Sequence, residues 1–222
     1  LHGFVLAYCK TNRRQTVITL WGRANSINVQ KVIWALAELE MPYTRIDAGM
    51  QFGVVNTPEF LAMNPNGLVP VLRDGDFTLW ESHAILRYLA TKDPQSRLLS
   101  KDPAQAARAD QWLEWYGSTL WPNMRPVFWN LVRTAPEQRD MAAVGQGVAG
   151  LGKNMLLLDQ HLQTRPYVAG GTFSLGDIPL ALIAHRWYAM DIERPAVQAV
   201  SAWFERVSAR PAFQAHCAAP LT

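Results

Sequence analysis

The sequence predicts an α/β N-terminal domain followed by an all-α C-terminal helical bundle, and three observations carry that prediction. Between residues 16 and 90 the hydrophobic pattern changes period in the order strand, helix, strand, short helix, strand, strand, helix. Residues 64–90 (NPNGLVPVLRDGDFTLWESHAILRYLA) hold a turn, an apolar strand, a tight hairpin turn, a second strand and an amphipathic helix in unbroken succession. After a polar, charged stretch that ends in a proline, only helical spacing recurs.

The elements follow in order. Residues 16–21 (TVITLW) read as the first strand, residues 22–28 (GRANSIN) as a polar loop, and Val29, Val32, Ile33 and Leu36 mark a helix. Residues 43–47 form a second strand and residues 58–63 a short helix. Residues 69–72 and 77–80 are strands on either side of Asp74-Gly75-Asp76, and Glu81-Ser82 opens a helix with Ile85, Leu86 and Leu89 on one side. A βαβ unit extended by a hairpin and a helix is the thioredoxin-like plan. We place this domain at residues 16–91, a linker at 92–103 and the helical domain at 104–222. Residues 1–15 are an N-terminal extension of undecided role, with an apolar core too short, and without the basic leader, for a signal peptide.

In the second domain, residues 105–120 form a helix that continues, bent, past Pro122 toward Val132. Leu151, Met155, Leu158 and Leu162 mark another helix, and Val197, Val200, Phe204 and Val207 a late one. Ser174-Leu175-Gly176-Asp177 fits a capping box, with Phe173 and Ile178 as its hydrophobic staple, so Asp177 has a structural role. His161 and His185 sit on helices without partners at metal-ligand spacing, and no metal site is expected.

Two features of the N-terminal domain have both a plain and a chemical reading. A proline cannot donate to a ladder, so Pro70 stands either as an ordinary trans proline at a strand start or in a cis bond that turns the Val69 backbone outward, toward an extended peptide-like ligand. Glu81 and Ser82 either complement a helix N-terminus as charge and cap, or bind an amino acid's ammonium and carboxylate there. Dithiol chemistry needs Cys-x-x-Cys at the mouth of the first helix, and the two cysteines, Cys9 and Cys217, are both remote from it. Ser26-Ile27-Asn28 stands there instead, a hydroxyl and an amide able to donate to a thiolate brought in by a ligand.

The segments GRANSINVQKVIWALAELEMPY, NTPEFLAMNPNGLVPVLRDGDFTLWESHAILRYLA, FSLGDIPLA and ARPAFQ resemble the cytosolic glutathione transferases, in the bacterial theta-like and nu-like branch, over nearly the whole chain from about residue 17. The resemblance implies glutathione as co-substrate and no metal. It implies that Ser26 is the thiol-activating hydroxyl and Asn28 a second donor. Val69, before a cis Pro70, pairs its backbone with the cysteinyl part of glutathione, and Glu81 and Ser82 take the γ-glutamyl end. Leu68 stands where related chains often carry a lysine or another polar residue, which leaves Gln51, Asn66 and Arg23 to serve the glycyl carboxylate. The electrophile pocket falls on the first helical hairpin, with Trp115, Arg125 and Trp129 foremost in the aromatic run 112–129; the other reading of these rings is interface and core packing. A homodimer acting in detoxification is implied too. Glutathione-dependent disulfide or peroxide reduction, and a non-catalytic glutathione-binding module, remain as alternatives.

At 222 residues the chain is long enough for two cores, and its net charge of +3, with acids and bases interspersed, argues against a nucleic-acid surface. Two isolated cysteines and no secretory signal point to the reducing cytoplasm, and no apolar run reaches membrane-spanning length.

Overall fold

The computed structural model describes residues 17–222; the N-terminal extension, Cys9 and Thr16 lie outside the described residues. The N-terminal part holds β1 (Ile18–Trp21), α1 (Ile27–Glu38), β2 (Tyr43–Ile46), α2 (Pro58–Met63), β3 (Val71–Asp74), β4 (Phe77–Trp80) and α3 (Ser82–Lys92). They build one mixed sheet in the order β2-β1-β3-β4, with β1 parallel to β2, and β3 antiparallel to both β1 and β4.

Alternation along the strands decides what each face covers. Ile18 and Leu20 of β1 and Leu72 of β3 join the core made with α1 and α3, where Val29, Val32, Leu36, Ile85, Leu86 and Leu89 are buried. The intervening Trp21 and Val71 point the other way and pack with Ala48 and Phe60 of α2. The α2 helix starts where the sequence puts it, because Thr57 caps it through Phe60 N–H and Pro58 needs no intrahelical donor. One strand is displaced from expectation: residues 69–72 were the predicted span, and the ladder runs from Val71 to Asp74. Pro70 has no N–H to give, so pairing begins after it.

The second part is all helical: α4 (Pro103–Trp115), α5 (Trp121–Phe128), α6 (Met141–Leu162), α7 (Asp177–Ala189), α8 (Gln198–Ser208) and α9 (Pro211–His216). The predicted single bent helix is α4 and α5 joined by a π-helical turn at Tyr116–Leu120, with a second such turn at Trp129–Arg133. Pro122 and Pro126 interrupt the ordinary i→i−4 pattern here, and a wider turn absorbs the mismatch. Helix α7 is buried on nearly every side and forms the axis of this domain.

Asp177, fully buried at its start, accepts from Val168 N–H at 3.0 Å, Ser174 N–H and Oγ–H at 2.9 Å, and Trp203 Nε1–H at 2.9 Å. These bonds tie α7 to α8 and to the preceding loop, a structural role, although the N-cap of α7 is Gly176, without a side-chain cap bond, rather than the Ser174 of the expected capping box. Phe173 packs on Trp34 of α1. The two parts meet along α1, where Gln30 Oε1 accepts from Arg186 of α7 at 2.9 Å and the Glu38 carboxylate receives both Nε and Nη2 of Arg210.

Candidate functional site

The site gathers where three chain segments approach: the mouth of α1, the turn before β3 and the start of α3. Its floor is shaped by glycine. The Val69–Pro70 peptide is cis, and Val69 lies so close to Gly22 that a β-carbon there would stand 3.3 Å from its Cβ and 2.4 Å from Val29 Cγ2. Both pairings of β3 begin at Val71, which leaves the Val69 N–H and C=O outside the ladders. A β-carbon on Gly49 would stand 3.2 Å from Arg23 Nη1 and 3.6 Å from the Val69 side chain, so a guanidinium lies close to this turn.

Ser26 is the N-cap of α1, buried and in extended backbone, yet its hydroxyl makes no capping bond. A serine at this position ordinarily spends its oxygen on the first helical N–H groups. Here that hydroxyl makes no such bond. At α3 the N-cap is Glu81, at φ 71°, a left-handed conformation that costs a non-glycine residue energy, and its exposed carboxylate makes no cap bond either. Ser82 is therefore the first helical residue rather than a cap, and its buried Oγ accepts a long, 3.4 Å bond from Lys31 Nζ.

Lys31 is the residue that the pattern of the sequence did not single out. It is 1% exposed on α1, and its Nζ lies 3.0 Å from Asn28 Oδ1, 2.9 Å from His83 Nε2 and 3.8 Å from the centroid of the Tyr116 ring. Burial, then the nearby Arg186, holds its ammonium well below the usual lysine range, and Glu81 opposes that shift. Burial first, then Lys31 and Arg87, pushes His83 down to about 2. Tyr116 is raised by burial, with its hydroxyl unpartnered inside the protein. The signal available in the sequence was a lysine three residues after Asn28, set among the apolar positions of α1's inward face.

Asn28, Lys31, Glu81, Ser82, His83 and Tyr116 line one cavity of about 480 Å³, along with Arg87, which is ion-paired to Asp110 and Glu114. Trp121 forms part of its wall and also borders a second recess of about 530 Å³ that contains Arg125, Pro126, Trp129 and Asn130. Arg125 and Trp129 are thus together, exposed, next to the Asn28–Ser82 cavity. Trp115 is not with them: it faces a separate recess of about 280 Å³ with Gln111, Trp112 and Leu157. Gln51 is exposed on a short 3-10 turn, and Asn66 is exposed with its N–H and Nδ2 both donated to Asn64 Oδ1. Leu68 is 63% exposed and offers no charge.

On the other side, Arg133 at the end of the second π turn donates to the Thr222 carbonyl oxygen at 3.0 Å and lies near Met50 Sδ; its field, after burial, lowers Arg23. Sequence reasoning had not selected Arg133. His161 Nε2 is 2.8 Å from the Val168 carbonyl and His185 Nε2 3.2 Å from that of Ala219, so both histidines are engaged with backbone.

Residues 16–91 match the model of the glutathione S-transferase N-terminal domain, and residues 120–211 that of its C-terminal domain. The chain is 42% identical over 198 residues to the glutathione S-transferase GstB of Escherichia coli, covering 88% of this chain and 95% of that protein. It is 36% identical to glutathione S-transferase 3 of Zea mays, over 91% and 94% of the two chains. Its fold superposes with a TM-score of 0.90 on a theta class glutathione S-transferase from Xanthomonas axonopodis pv. citri with glutathione bound, at 42% identity, covering 93% of this chain and all of that one. A sheet domain with a cis-proline turn and an uncommitted hydroxyl at the mouth of α1, joined to a helical bundle and matched over this length, places the chain in the glutathione S-transferase family.

Proposed function

We propose that this protein binds glutathione along Val69, activates its thiol at the mouth of α1 and directs the thiolate onto a small hydrophobic electrophile held against α5. Residues 16–91 form the glutathione-binding domain, 92–103 the linker and 104–222 the domain that supplies the electrophile pocket. Glu81 and Ser82 take the γ-glutamyl ammonium and carboxylate, and the Val69 backbone pairs with the cysteinyl unit. Arg23, beside Gly49 and Val69, is better placed for the glycyl carboxylate than the exposed Gln51 and Asn66. Arg125 and Trp129 border the electrophile, with Trp115 outside the pocket. The protein works as a homodimer in cytoplasmic detoxification.

The observation that carries the reading is the Ser26 hydroxyl, buried at a helix N-terminus and unspent on capping. A free cysteine thiol titrates at about 8.5, so only a few per cent is thiolate at neutral pH. One hydrogen bond to the charged sulfur contributes about 1.5–3 kcal/mol and the helix terminus about 0.3–1 kcal/mol. At about 1.36 kcal/mol per unit, that lowers the thiol by roughly one to three units and makes the bound sulfur mostly anionic at pH 7. The thiolate needs no further base to attack. Asn28 is a second donor, its Oδ1 accepting from Lys31 Nζ at 3.0 Å so that the NH₂ is the group left to donate.

Substituting Ser26 by Ala tests this. With glutathione and a chloronitroarene, kcat/KM falls about 10- to 100-fold, the worth of one charge-assisted hydrogen bond, and the pH midpoint of the rate moves upward by roughly one to two units. Unchanged turnover and an unmoved midpoint remove Ser26 from the role. Running hydroxyethyl disulfide beside the arene separates conjugation from disulfide reduction.

A further inference from the structure

Beneath the γ-glutamyl end lies a cation that the thiol chemistry does not use. An ammonium has three N–H donors and no acceptor. Lys31 Nζ meets three acceptors, Asn28 Oδ1 at 3.0 Å, Ser82 Oγ at 3.4 Å and His83 Nε2 at 2.9 Å, with the Tyr116 ring face closing the remaining side at 3.8 Å. Among the described residues no carboxylate lies within ion-pair distance of it. Burial makes that ammonium expensive and lowers its pKa, with the exposed Glu81 opposing the shift only from a distance, and an arriving anion restores the charge.

The geometry also fixes which way its neighbours point. Because Lys31 only donates, it takes the carbonyl oxygen of Asn28 and a lone pair of Ser82. That turns the Asn28 NH₂ and the Ser82 hydroxyl proton away from Lys31, as donors toward the cavity that all three residues line. We propose that Lys31 is a positioning residue for glutathione, its ammonium orienting the Asn28 amide and the Ser82 hydroxyl onto the γ-glutamyl α-carboxylate and supplying that carboxylate's buried counter-charge. The charges facing Lys31 from the packed elements are Glu81 at the start of α3 and Arg186 of α7, with neutral His83 on α3 and Tyr116 after α4. Glu81 is exposed at the rim and serves the ammonium. The carboxylate is then the group of glutathione that completes the set. This inference rests on the glutathione reading above.

The test compares two ligands on two proteins. Calorimetry measures binding of glutathione and of γ-aminobutyryl-cysteinyl-glycine, the same tripeptide without the α-carboxylate, to the full chain and to its Lys31→Met variant. In the unaltered protein, losing the carboxylate weakens binding about 10- to 100-fold, the range of one charge-assisted hydrogen bond. In Lys31→Met, glutathione weakens by a similar factor, the analogue hardly changes, and the preference for the carboxylate collapses to within about threefold. If both ligands weaken equally in the variant, Lys31 is merely structural and the proposal fails. If the variant keeps the full preference, it fails as well. Absence of glutathione binding to the unaltered protein instead overturns the glutathione reading itself. Lys31→Gln, which keeps a neutral donor of similar length, provides the same comparison should the Met variant not fold, and it retains only part of the preference.

Discussion

His83 shows how far a single ring is changed by its place in the fold. Its pKa is pushed down to about 2, mainly by burial and then by the Lys31 and Arg87 charges, so the ring is neutral in the folded protein at any pH where the protein is used. In the unfolded chain the same ring titrates near 6.5. Below that value the unfolded state binds a proton that the folded state refuses, so stability is lost as pH falls through 6.5 and goes on falling toward 2. We expect the urea midpoint to drop between pH 7.5 and pH 5, and the drop to be shallower in His83→Gln, whose side chain has no proton to gain. Equal slopes in the two proteins would assign the acid sensitivity elsewhere. None of this was legible in the sequence, because the desolvation of His83 depends on Tyr116, whose ring stands edge-on 5.2 Å away and comes from another domain.

Among the elements, local chemistry decided what the sequence could reveal. The short helix α2, the two-residue turn at Gly75 and Asp76, and β4 lie where turn and capping residues put them. The α4–α5 segment is different. In an unbroken helix, at about 100° per residue, Trp115 and Trp129 fall within about 40° of each other. A π turn between them takes up one extra residue and swings the later side chain by about another 100°, so the two rings face separate recesses. Pro122 announces a bend in the residue pattern, but not that the chain takes it up by inserting a residue. The same segment packs closely on α6 through glycine. A β-carbon on Gly147 would stand 2.6 Å from Val127 Cγ2 and 2.7 Å from the Asn123 carbonyl oxygen, whereas one on Gly145 meets nothing within 4 Å. Gly147→Ala should therefore destabilise by about 1–3 kcal/mol through overpacking, while Gly145→Ala, at an exposed helical position, should stabilise by roughly 0.5–1 kcal/mol. Thermal melts of the two variants check both signs, and a stabilised Gly147→Ala would mean that the α5–α6 contact is looser than described.

Taken as one object, the molecule has two architectures and a shared core. Trp34, on α1 of the sheet domain, is fully buried; its ring lies 5.7 Å from Phe173 and 5.1 Å from Phe213 of the helical domain, and its Nε1–H donates to Glu38. Arg210 of the helical side grips the same Glu38 with two nitrogens and lies over the Phe173 ring at 4.1 Å, and Arg186 reaches back to Gln30. One hydrophobic cluster runs through both parts without a break. A domain whose core is completed by its neighbour's side chains cannot unfold alone without exposing them. The site has the same dependence, since Lys31 and His83 come from the sheet domain while Tyr116 and Trp121 come from the helical one. We therefore expect urea unfolding to be a single transition, with far-UV circular dichroism reporting helix and tryptophan fluorescence reporting packing at one midpoint. If the protein is the homodimer proposed above, that shared midpoint rises with protein concentration, because association stabilises only the folded chain. Two separated transitions would mean that the sheet domain and the bundle are independent and that the α1 interface contributes little; one transition with a concentration-independent midpoint would keep the shared core and remove the coupling of folding to dimerisation.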